Sequence, residues 1–230
     1  MKILSSLVDL FYPKQCLGCG NHLLSGEFTI CSTCRHQLPE TGFCTMTDNV
    51  VTQTFRGRVP IEQGTALLFY KKEGISQKLI YHLKYKGRQD VGVFFGQWML
   101  EECRENHRFD DIQAIIKVPL HPQKKKKRGY NQLTTFARVL SDGLSVPVVE
   151  NVLVKIGKST SQTKKTRFGR FDKIAEKFHI IDTSILTGKH VLLVDDVLTT
   201  GATLEACAME LRKTPHIKIS IATMVIADNL

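Results

Sequence analysis

The amino-acid sequence predicts an α/β fold, in which a parallel sheet flanked by helices follows a small cysteine-bearing module. Two observations support this prediction. After residue 64, short apolar segments typical of strands alternate with segments whose apolar residues recur at helical spacing. Before residue 45 the chain is rich in turn-forming residues and contains two C-x-x-C pairs.

The composition excludes several classes of protein. The 230 residues are 42% hydrophobic and carry 32 Lys and Arg against 22 Asp and Glu, a net charge of +10. This is a globular profile, which excludes wholesale disorder and a coiled coil. No apolar run approaches the roughly 20 residues of a membrane span. Asp9 interrupts the apolar N-terminus, which favours a short helix over a signal peptide. We therefore expect a cytoplasmic protein without membrane insertion.

The cysteine spacing predicts a metal site. Cys16 and Cys19 form one pair, and Cys31 and Cys34 form a second. Each C-x-x-C supplies two thiolates on one tight turn, so two pairs complete the tetrahedral ligand set that structural Zn²⁺ prefers. An iron–sulfur centre and a redox pair are the alternatives. Seven cysteines in all, an odd number, argue against a fully disulfide-paired secreted scaffold.

The apolar pattern predicts the order of the elements. Helices are expected over GISQKLIYHLKY, VGVFFGQWMLEECREN, NQLTTFARVLSDG and TLEACAMELRK, the third of them capped at Gly143. Strands are expected over AIIKVPL, VPVVENVLV, KFHII, KHVLLVDD and IKISIATMVIA. Residues 48–64 are interpreted as a linker. The predicted domains are therefore a zinc-binding module with a short N-terminal helix over 1–47 and a larger domain over 48–230.

The segment VLLVDDVLTTGAT, residues 191–203, predicts a ligand site. A buried strand is expected to end at Val194, and the carboxylates of Asp195 and Asp196 follow it. In an open parallel sheet, ligands bind at the carboxyl ends of strands. The next turn offers hydroxyls, flexible backbone and the N–H groups of a helix start, which suit a phosphate. This turn consists of Thr199, Thr200, Gly201, Ala202 and Thr203.

The two acids would repel a phosphate unless they bind another group. A carboxylate accepts hydrogen bonds from vicinal hydroxyls, so a ribose 5-phosphate fits, with its diol on Asp195 and Asp196 and its phosphate on the turn. The alternative is that the acids cap the helix and the threonines only form the turn. Because the acids are expected to lie beside solvent, removing them is expected to cost little stability.

The same segment resembles the phosphoribosyl-pyrophosphate (PRPP) signature of type I phosphoribosyltransferases. Together with YPKQCLGCG, LKYKG (83–87), VPLHPQKKKKRGYNQ (118–132) and SQTKKTR (161–167), it is similar to the competence-associated ComF family (ComFC/GntX type) over nearly the whole chain. The resemblance implies a type I phosphoribosyltransferase domain after a zinc module, and a link to DNA uptake in natural transformation. Members continue with a further C-x-x-C, but here Thr47 replaces its second cysteine, so we expect Cys44 to be a free thiol.

The positive charge is concentrated between Lys117 and Lys177, where 15 Lys and Arg accompany 4 Asp and Glu. This concentration favours an anionic partner, either nucleic acid or a polyphosphorylated small molecule. The resemblance implies a pyrophosphate loop after the AIIKVP strand and a mobile basic loop over 155–177, with Mg²⁺ carried on the pyrophosphate oxygens. Tyr130 either stacks on a base or packs half-buried. The candidate pyrophosphate-binding residues are Pro119, Leu120, Arg128, Lys164 and Arg167.

Three functional hypotheses fit the sequence. In the first, an enzyme transfers phosphoribosyl from PRPP to an unknown nitrogen acceptor, mainly by positioning and charge stabilisation of an oxocarbenium-like sugar. In the second, the PRPP site is a non-catalytic sensor and the basic surface binds single-stranded DNA. In the third, the chain is a scaffold for a competence helicase. The acceptor and the oligomeric state stay open.

Overall fold

The computed structural model describes residues 14–156 and 177–227, and it confirms the α/β fold. Six strands lie in these residues: β1 (Gly64–Tyr70), β2 (Ala114–Lys117), β3 (Leu153–Ile156), β4 (Lys177–Ile180), β5 (His190–Leu198) and β6 (Lys218–Ala227). Four of them form a wholly parallel sheet in the order β1-β6-β5-β2. Strands β3 and β4 pair separately as a two-stranded antiparallel sheet.

Strand β5, in the interior of the parallel sheet, is buried on both faces. Val191, Leu192, Leu193 and Val194 are all fully buried in β5. Because successive side chains of a strand point to opposite faces, protein must cover both sides of this sheet. An unbroken apolar run such as VLLV is typical of such a strand, which explains why the sequence pattern identified it.

Seven α-helices lie in the described residues, and those expected from the apolar spacing are among them. They are α1 (Ser32–His36), α2 (Val50–Phe55), α3 (Ile75–Tyr85), α4 (Asp90–Glu105), α5 (Pro122–Arg128), α6 (Thr134–Leu144) and α7 (Ala202–Leu211). None of these helices combines the length and the apolar composition that crossing a membrane requires.

Gly143 does not cap α6, as the sequence had suggested. The helix continues through Leu144 and ends at Ser145, whose φ of 57° lies in the left-handed region. A Cβ on Gly143 would lie only 2.2 Å from Cδ1 of Leu100 in α4. The glycine is therefore explained by the close approach of α4 and α6, a packing requirement that sequence periodicity does not reveal.

The segment interpreted as a linker, residues 48–64, contains helix α2. Asn49 caps this helix, since its side-chain oxygen accepts the N–H groups of Val51 and Thr52. Phe55 at the end of the helix is fully buried in the core. The capping residue was a sequence signal for a helix start. The division into 1–47 and 48–230 stays a prediction.

The cysteine-bearing module covers the edge of the parallel sheet at β1. Glu40 forms an antiparallel bridge with Leu68. The N–H of Thr41 donates to the carbonyl of Leu67 at 3.0 Å, and the N–H of Phe69 donates to the carbonyl of Pro39 at 2.8 Å. These bonds satisfy backbone groups that an exposed edge strand would leave unpaired.

Candidate functional site

The carboxylates of Asp195 and Asp196 lie within β5, near its carboxyl end. The strand continues two residues beyond the expected segment KHVLLVDD, because pairing with β6 continues to Leu198 opposite Ile226. On its other side, β2 stops at Lys117 opposite Val194. The two acids therefore emerge where β5 has lost its neighbour on that side. This leaves a crevice between the strand ends, the usual ligand position in such sheets.

Asp196 is almost completely buried and has two partners. The Nζ of Lys84 on α3 lies 2.7 Å from its Oδ1, and Nε2 of Gln132 donates to its Oδ2 at 2.9 Å. Nη1 of Arg128 in turn donates to Oε1 of Gln132 at 2.8 Å. A continuous polar chain thus connects Asp196 to Arg128. The expectation that both acids lie beside solvent was wrong for Asp196, which is 4% exposed.

Asp195 has an unusual electrostatic environment. Its Oδ1 accepts the backbone N–H of Asp196 at 2.8 Å. Burial and the adjacent charge of Asp196 raise the pKa of Asp195 to about 8, against the opposing effect of Lys84 and Lys155. A carboxyl group whose pKa is raised by burial and by an adjacent acid is a feature of functional sites.

The turn after β5 has the backbone geometry expected of a phosphate cradle. Thr199 and Thr200 are exposed, and Gly201 precedes α7 with a φ of 79° in the left-handed region. A Cβ on Gly201 would lie 2.8 Å from Cγ2 of Thr54 in α2, so glycine is required both by the backbone and by its neighbour. The first turn of α7 supplies N–H groups without intrahelical partners and the positive end of a helix dipole.

The opposite wall of the crevice comes from the segment after β2. Pro119 and Leu120 line it, and the basic run expected as a loop forms the short helix α5, from which Arg128 faces the same space. The resulting cleft has a volume of about 860 Å³ and is also lined by Asp195, Asp196, Thr199 and Thr203. Thr200, Gly201 and Ala202 belong to the turn but not to this lining. Lys164 and Arg167 lie outside the described residues.

Several residues of the cleft were not identified from the sequence. Lys84 and Gln132 lie in the segments LKYKG and VPLHPQKKKKRGYNQ, yet no role was assigned to either. Lys155, which was expected to begin the mobile basic loop, lies in strand β3 instead and also lines the cleft. Tyr130 packs half-buried, with its hydroxyl donating to the carbonyl of Leu83, so of the two interpretations of this side chain, packing is confirmed.

The four predicted cysteine ligands form one cluster. The sulfurs of Cys16, Cys19, Cys31 and Cys34 all lie within 4.8 Å of one another. Burial raises the pKa of Cys16, but backbone N–H groups of Cys19, Cys31 and Gly18 lower it to about 6. A thiolate held by N–H donors is the form that binds zinc.

Cys44 lies apart from that cluster. Its sulfur is buried 3.3 Å from Oγ1 of Thr65 and 3.8 Å from the sulfur of Cys103. It is a free cysteine, as expected from the missing second cysteine of its pair. Within residues 14–156 and 177–227, the four-cysteine cluster is the one group of side chains arranged to hold a metal.

Comparisons with known proteins agree with this organisation. The phosphoribosyl transferase domain model matches residues 134–229, and the double zinc ribbon domain model matches residues 7–49. Competence protein F of Haemophilus influenzae is 24% identical over 213 residues, which cover 88% of this chain and 93% of that protein. Over most of its length the chain is similar to competence protein F. Its fold is accordingly that of a type I phosphoribosyltransferase after a zinc module.

Two further relatives of this chain cover most of its length. DNA utilization protein YhgH of Escherichia coli K12 is 24% identical over 209 residues, which cover 86% of the chain and 91% of the relative. Competence protein ComFC of Bacillus subtilis is 23% identical over 196 residues, which cover 85% of the chain and 76% of the relative. The zinc ribbon match includes all four clustered cysteines, and together with the sulfur geometry it supports a structural zinc ion.

Proposed function

We propose that this protein binds PRPP with Mg²⁺ in the cleft at the end of β5 and transfers the phosphoribosyl group to an acceptor. The observation that supports this most is the convergence of two carboxylates, a glycine-containing turn at a helix start and a basic wall around one cleft. These three parts match the diol, the 5′-phosphate and the pyrophosphate of one ligand.

The ribose hydroxyls are assigned to the acidic pair. Both oxygens of Asp196 already accept hydrogen bonds, from Lys84 and Gln132. A carboxylate oxygen has two lone pairs, so Asp196 retains acceptor capacity in a fixed orientation. Asp195 uses only Oδ1 in its backbone contact. The ribose diol would therefore add to an acidic pair that the protein has already oriented, which reduces the ordering cost of binding.

The 5′-phosphate is assigned to the turn over 199–203. Its oxygens would accept N–H groups of the first turn of α7 and the hydroxyls of Thr199 and Thr203. The left-handed Gly201 brings the backbone close to the ligand without a side chain in the way. Arg58 stabilises the turn, since its Nη1 donates to the carbonyl of Thr200 at 3.3 Å.

The pyrophosphate is assigned to Arg128 and to the backbone at Pro119 and Leu120. A guanidinium binds phosphate oxygens bidentately, and Arg128 is held for this by Gln132. The residues also fit a Mg²⁺ ion that is held mainly by substrate oxygens, because Lys84 already neutralises Asp196 and the pKa of Asp195 is raised to about 8. When bound, the ion would neutralise charge on the leaving pyrophosphate.

The transfer itself needs no protein nucleophile. The bond from C1 of the ribose to the pyrophosphate oxygen breaks, and its electron pair leaves with pyrophosphate. A nitrogen of the acceptor donates a lone pair to C1 and loses its proton to solvent or to a basic group. The acidic pair would hold the ribose in position, and Arg128 would stabilise the negative charge on the leaving group.

A role in handling DNA is the second part of the proposal. Relatives named for competence and for DNA utilization support it. So does the surface of α5, where Lys124, Lys126 and Lys127 are exposed beside the cleft. We include single-stranded DNA and a competence helicase as partners in this proposal.

Calorimetry with PRPP and Mg²⁺ tests the binding step, and a screen for pyrophosphate release across bases, nucleosides and oligonucleotides tests the transfer. Saturable PRPP binding together with release in the presence of one acceptor is expected. Binding without release from any acceptor would replace the enzyme by the sensor hypothesis. Absence of PRPP binding would overturn both.

A further inference from the structure

Two of the tyrosines that line the cleft have largely exposed side chains. Among the described Phe, Tyr and Trp side chains, the largely exposed ones are Phe28, Tyr81 and Tyr85. Tyr81 is 48% exposed and Tyr85 is 62% exposed, and both line the cleft that holds the acidic pair. Exposing two neighbouring aromatic rings gains nothing for stability, so their position suggests a ligand.

The two rings form one surface on α3. They are four residues apart, which places them on the same helix face, and their centroids are 5.4 Å apart with 45° between the planes. We call this pair the tyrosine ledge. Lys84 lies between them in sequence and reaches Asp196 with its amino group. The helix that contains the ledge is therefore connected to the acidic pair through Lys84.

Positive charge surrounds the ledge. The guanidinium carbon of Arg128 lies 5.3 Å from the ring centroid of Tyr85, and Nζ of Lys86 lies 5.8 Å from that of Tyr81. Cation–π contacts of this kind orient the rings while leaving area for a further flat group. Aromatic faces beside cations suit a flat ring that carries phosphate, rather than an aliphatic or a positively charged ligand.

We propose that the tyrosine ledge binds a planar heterocyclic base by stacking, and that this base is the acceptor end of the site. The inference rests on the proposed function, because only a PRPP site in the same cleft makes the base an acceptor. A free base and a base within a single strand share this chemistry, and the experiment separates the two sources.

The test uses the full chain and three fluorescent probes, since 2-aminopurine changes its emission when it stacks. The probes are 2-aminopurine base, its nucleoside 5′-monophosphate and a 15-nucleotide oligothymidylate with one central 2-aminopurine. At least one probe should bind with altered emission. Tyr81→Leu/Tyr85→Leu, which keeps apolar surface but removes the aromatic faces, should lose about tenfold or more in affinity for that probe. Tyr81→Phe/Tyr85→Phe should bind it within about twofold of wild type.

Phe28→Leu is the matched control, because it removes an exposed aromatic ring far from the cleft, on the cysteine-bearing module, and should leave probe affinity unchanged. Calorimetry of Tyr81→Leu/Tyr85→Leu measures its affinity for PRPP. The fold-change in PRPP affinity should be several times smaller than the fold-change in probe affinity. A single Tyr85→Leu variant replaces the pair if the pair melts at a lower temperature than wild type.

The outcomes separate the ledge from the proposed function. Probe binding that depends on the two tyrosines supports the ledge even if PRPP fails to bind, in which case the proposed function falls and the ledge remains. If only binding of the oligonucleotide depends on the tyrosines, the base that stacks on the ledge belongs to a single strand. If binding of the free base depends on them, the ledge binds a small acceptor. Equal affinity of wild type and the Leu pair for every probe, or no probe binding at all, overturns the ledge.

Discussion

Lys84 on α3 and Asp196 at the end of β5 form an ion pair of 2.7 Å in which the lysine side chain is 20% exposed and the aspartate side chain 6%. The pair connects the helix that follows β1 to the central strand of the site. Because the pair is buried, replacing one partner lowers the stability of the fold, since the other charge is then left unpaired. Asp196 therefore has a structural role in addition to its proposed contact with ribose.

Replacing both partners of this pair should destabilise the protein by less than the sum of the two single replacements. Asp196→Asn and Lys84→Met are each expected to lower the free energy of unfolding by about 2 kcal/mol, while the double variant should lose less than the sum by about 1 kcal/mol or more. Urea denaturation of the four proteins measures this coupling. Additive losses would mean that the two charges do not interact appreciably.

Asp195 should destabilise the fold as it ionises. Burial and the charge of Asp196 raise its pKa to about 8 in the folded protein, whereas the unfolded chain has an ordinary value near 4. Between these values the folded state binds a proton that the unfolded state has released, so stability falls as pH rises toward 8. Asp195→Asn removes this dependence. From pH 6 to pH 8, wild type should lose about 2–3 kcal/mol relative to the variant in urea denaturation.

The same substitution should weaken PRPP binding, because an amide is a poorer acceptor for a ribose hydroxyl than a carboxylate. Higher stability with lower affinity at pH 8 is the combination expected of a residue retained for function. A variant with wild-type stability at both pH values would contradict the raised pKa, and unchanged PRPP affinity would contradict the ribose contact.

The site was predictable where one segment of sequence contains its parts. The run from Val191 to Thr203 encodes a strand, two acids and a turn in consecutive residues. The position of the acids and the turn at the carboxyl ends of the parallel strands therefore followed from topology alone. Lys84 and Gln132 were not predictable in this way, because they reach Asp196 from positions 112 and 64 residues away in the chain. Only the packing of α3 and the segment before α6 against β5 brings them together.

The zinc site was predictable for the same reason, since C-x-x-C pairs encode their own geometry. The interpretation of residues 48–64 failed because a two-turn helix is too short to show periodicity. The role of Gly143 was misjudged because this glycine leaves space for the side chain of Leu100, which lies 43 positions earlier in the chain. Local patterns thus identified elements and motifs, and long-range packing decided which side chains share the cleft.

Purified protein should contain close to one zinc ion per chain, held by the four clustered cysteines. Cys31→Ser should lose the metal and unfold the module, because structural zinc supplies folding free energy to small cysteine-rich units. Cys44→Ala should retain full zinc content, since its sulfur contacts Thr65 and Cys103 instead. Metal analysis of the three proteins checks both expectations. Iron with a visible absorbance band would sink the zinc assignment.

Binding of single-stranded DNA should weaken steeply with salt. Each phosphate contact releases counterions, and for single strands the slope of log affinity against log salt is about −0.7 per contact. Replacing the exposed Lys124, Lys126 and Lys127 of α5 by Gln should reduce the slope by about 2. Fluorescence anisotropy with an oligothymidylate at several salt concentrations measures it. A slope unchanged by the triple substitution would exclude α5 from the DNA-binding surface.

Gly201→Ala should remove the 5′-phosphate site while leaving the fold largely intact. The left-handed backbone at φ 79° costs alanine about 1–2 kcal/mol, and the new Cβ would approach Thr54 to 2.8 Å, which forces the turn to move.

Gly188→Ala is the matched control, since Gly188 has a similar φ of 71°, no atom near its Cβ position and a place at the opposite end of β5. Both variants should lose stability in thermal melts, and Gly201→Ala should lose more, because only its Cβ meets a neighbouring side chain. Only Gly201→Ala should lose about tenfold or more in affinity for both ribose 5-phosphate and PRPP, because the two ligands share the 5′-phosphate. If Gly201→Ala binds ribose 5-phosphate as tightly as Gly188→Ala does, the phosphate does not lie on this turn.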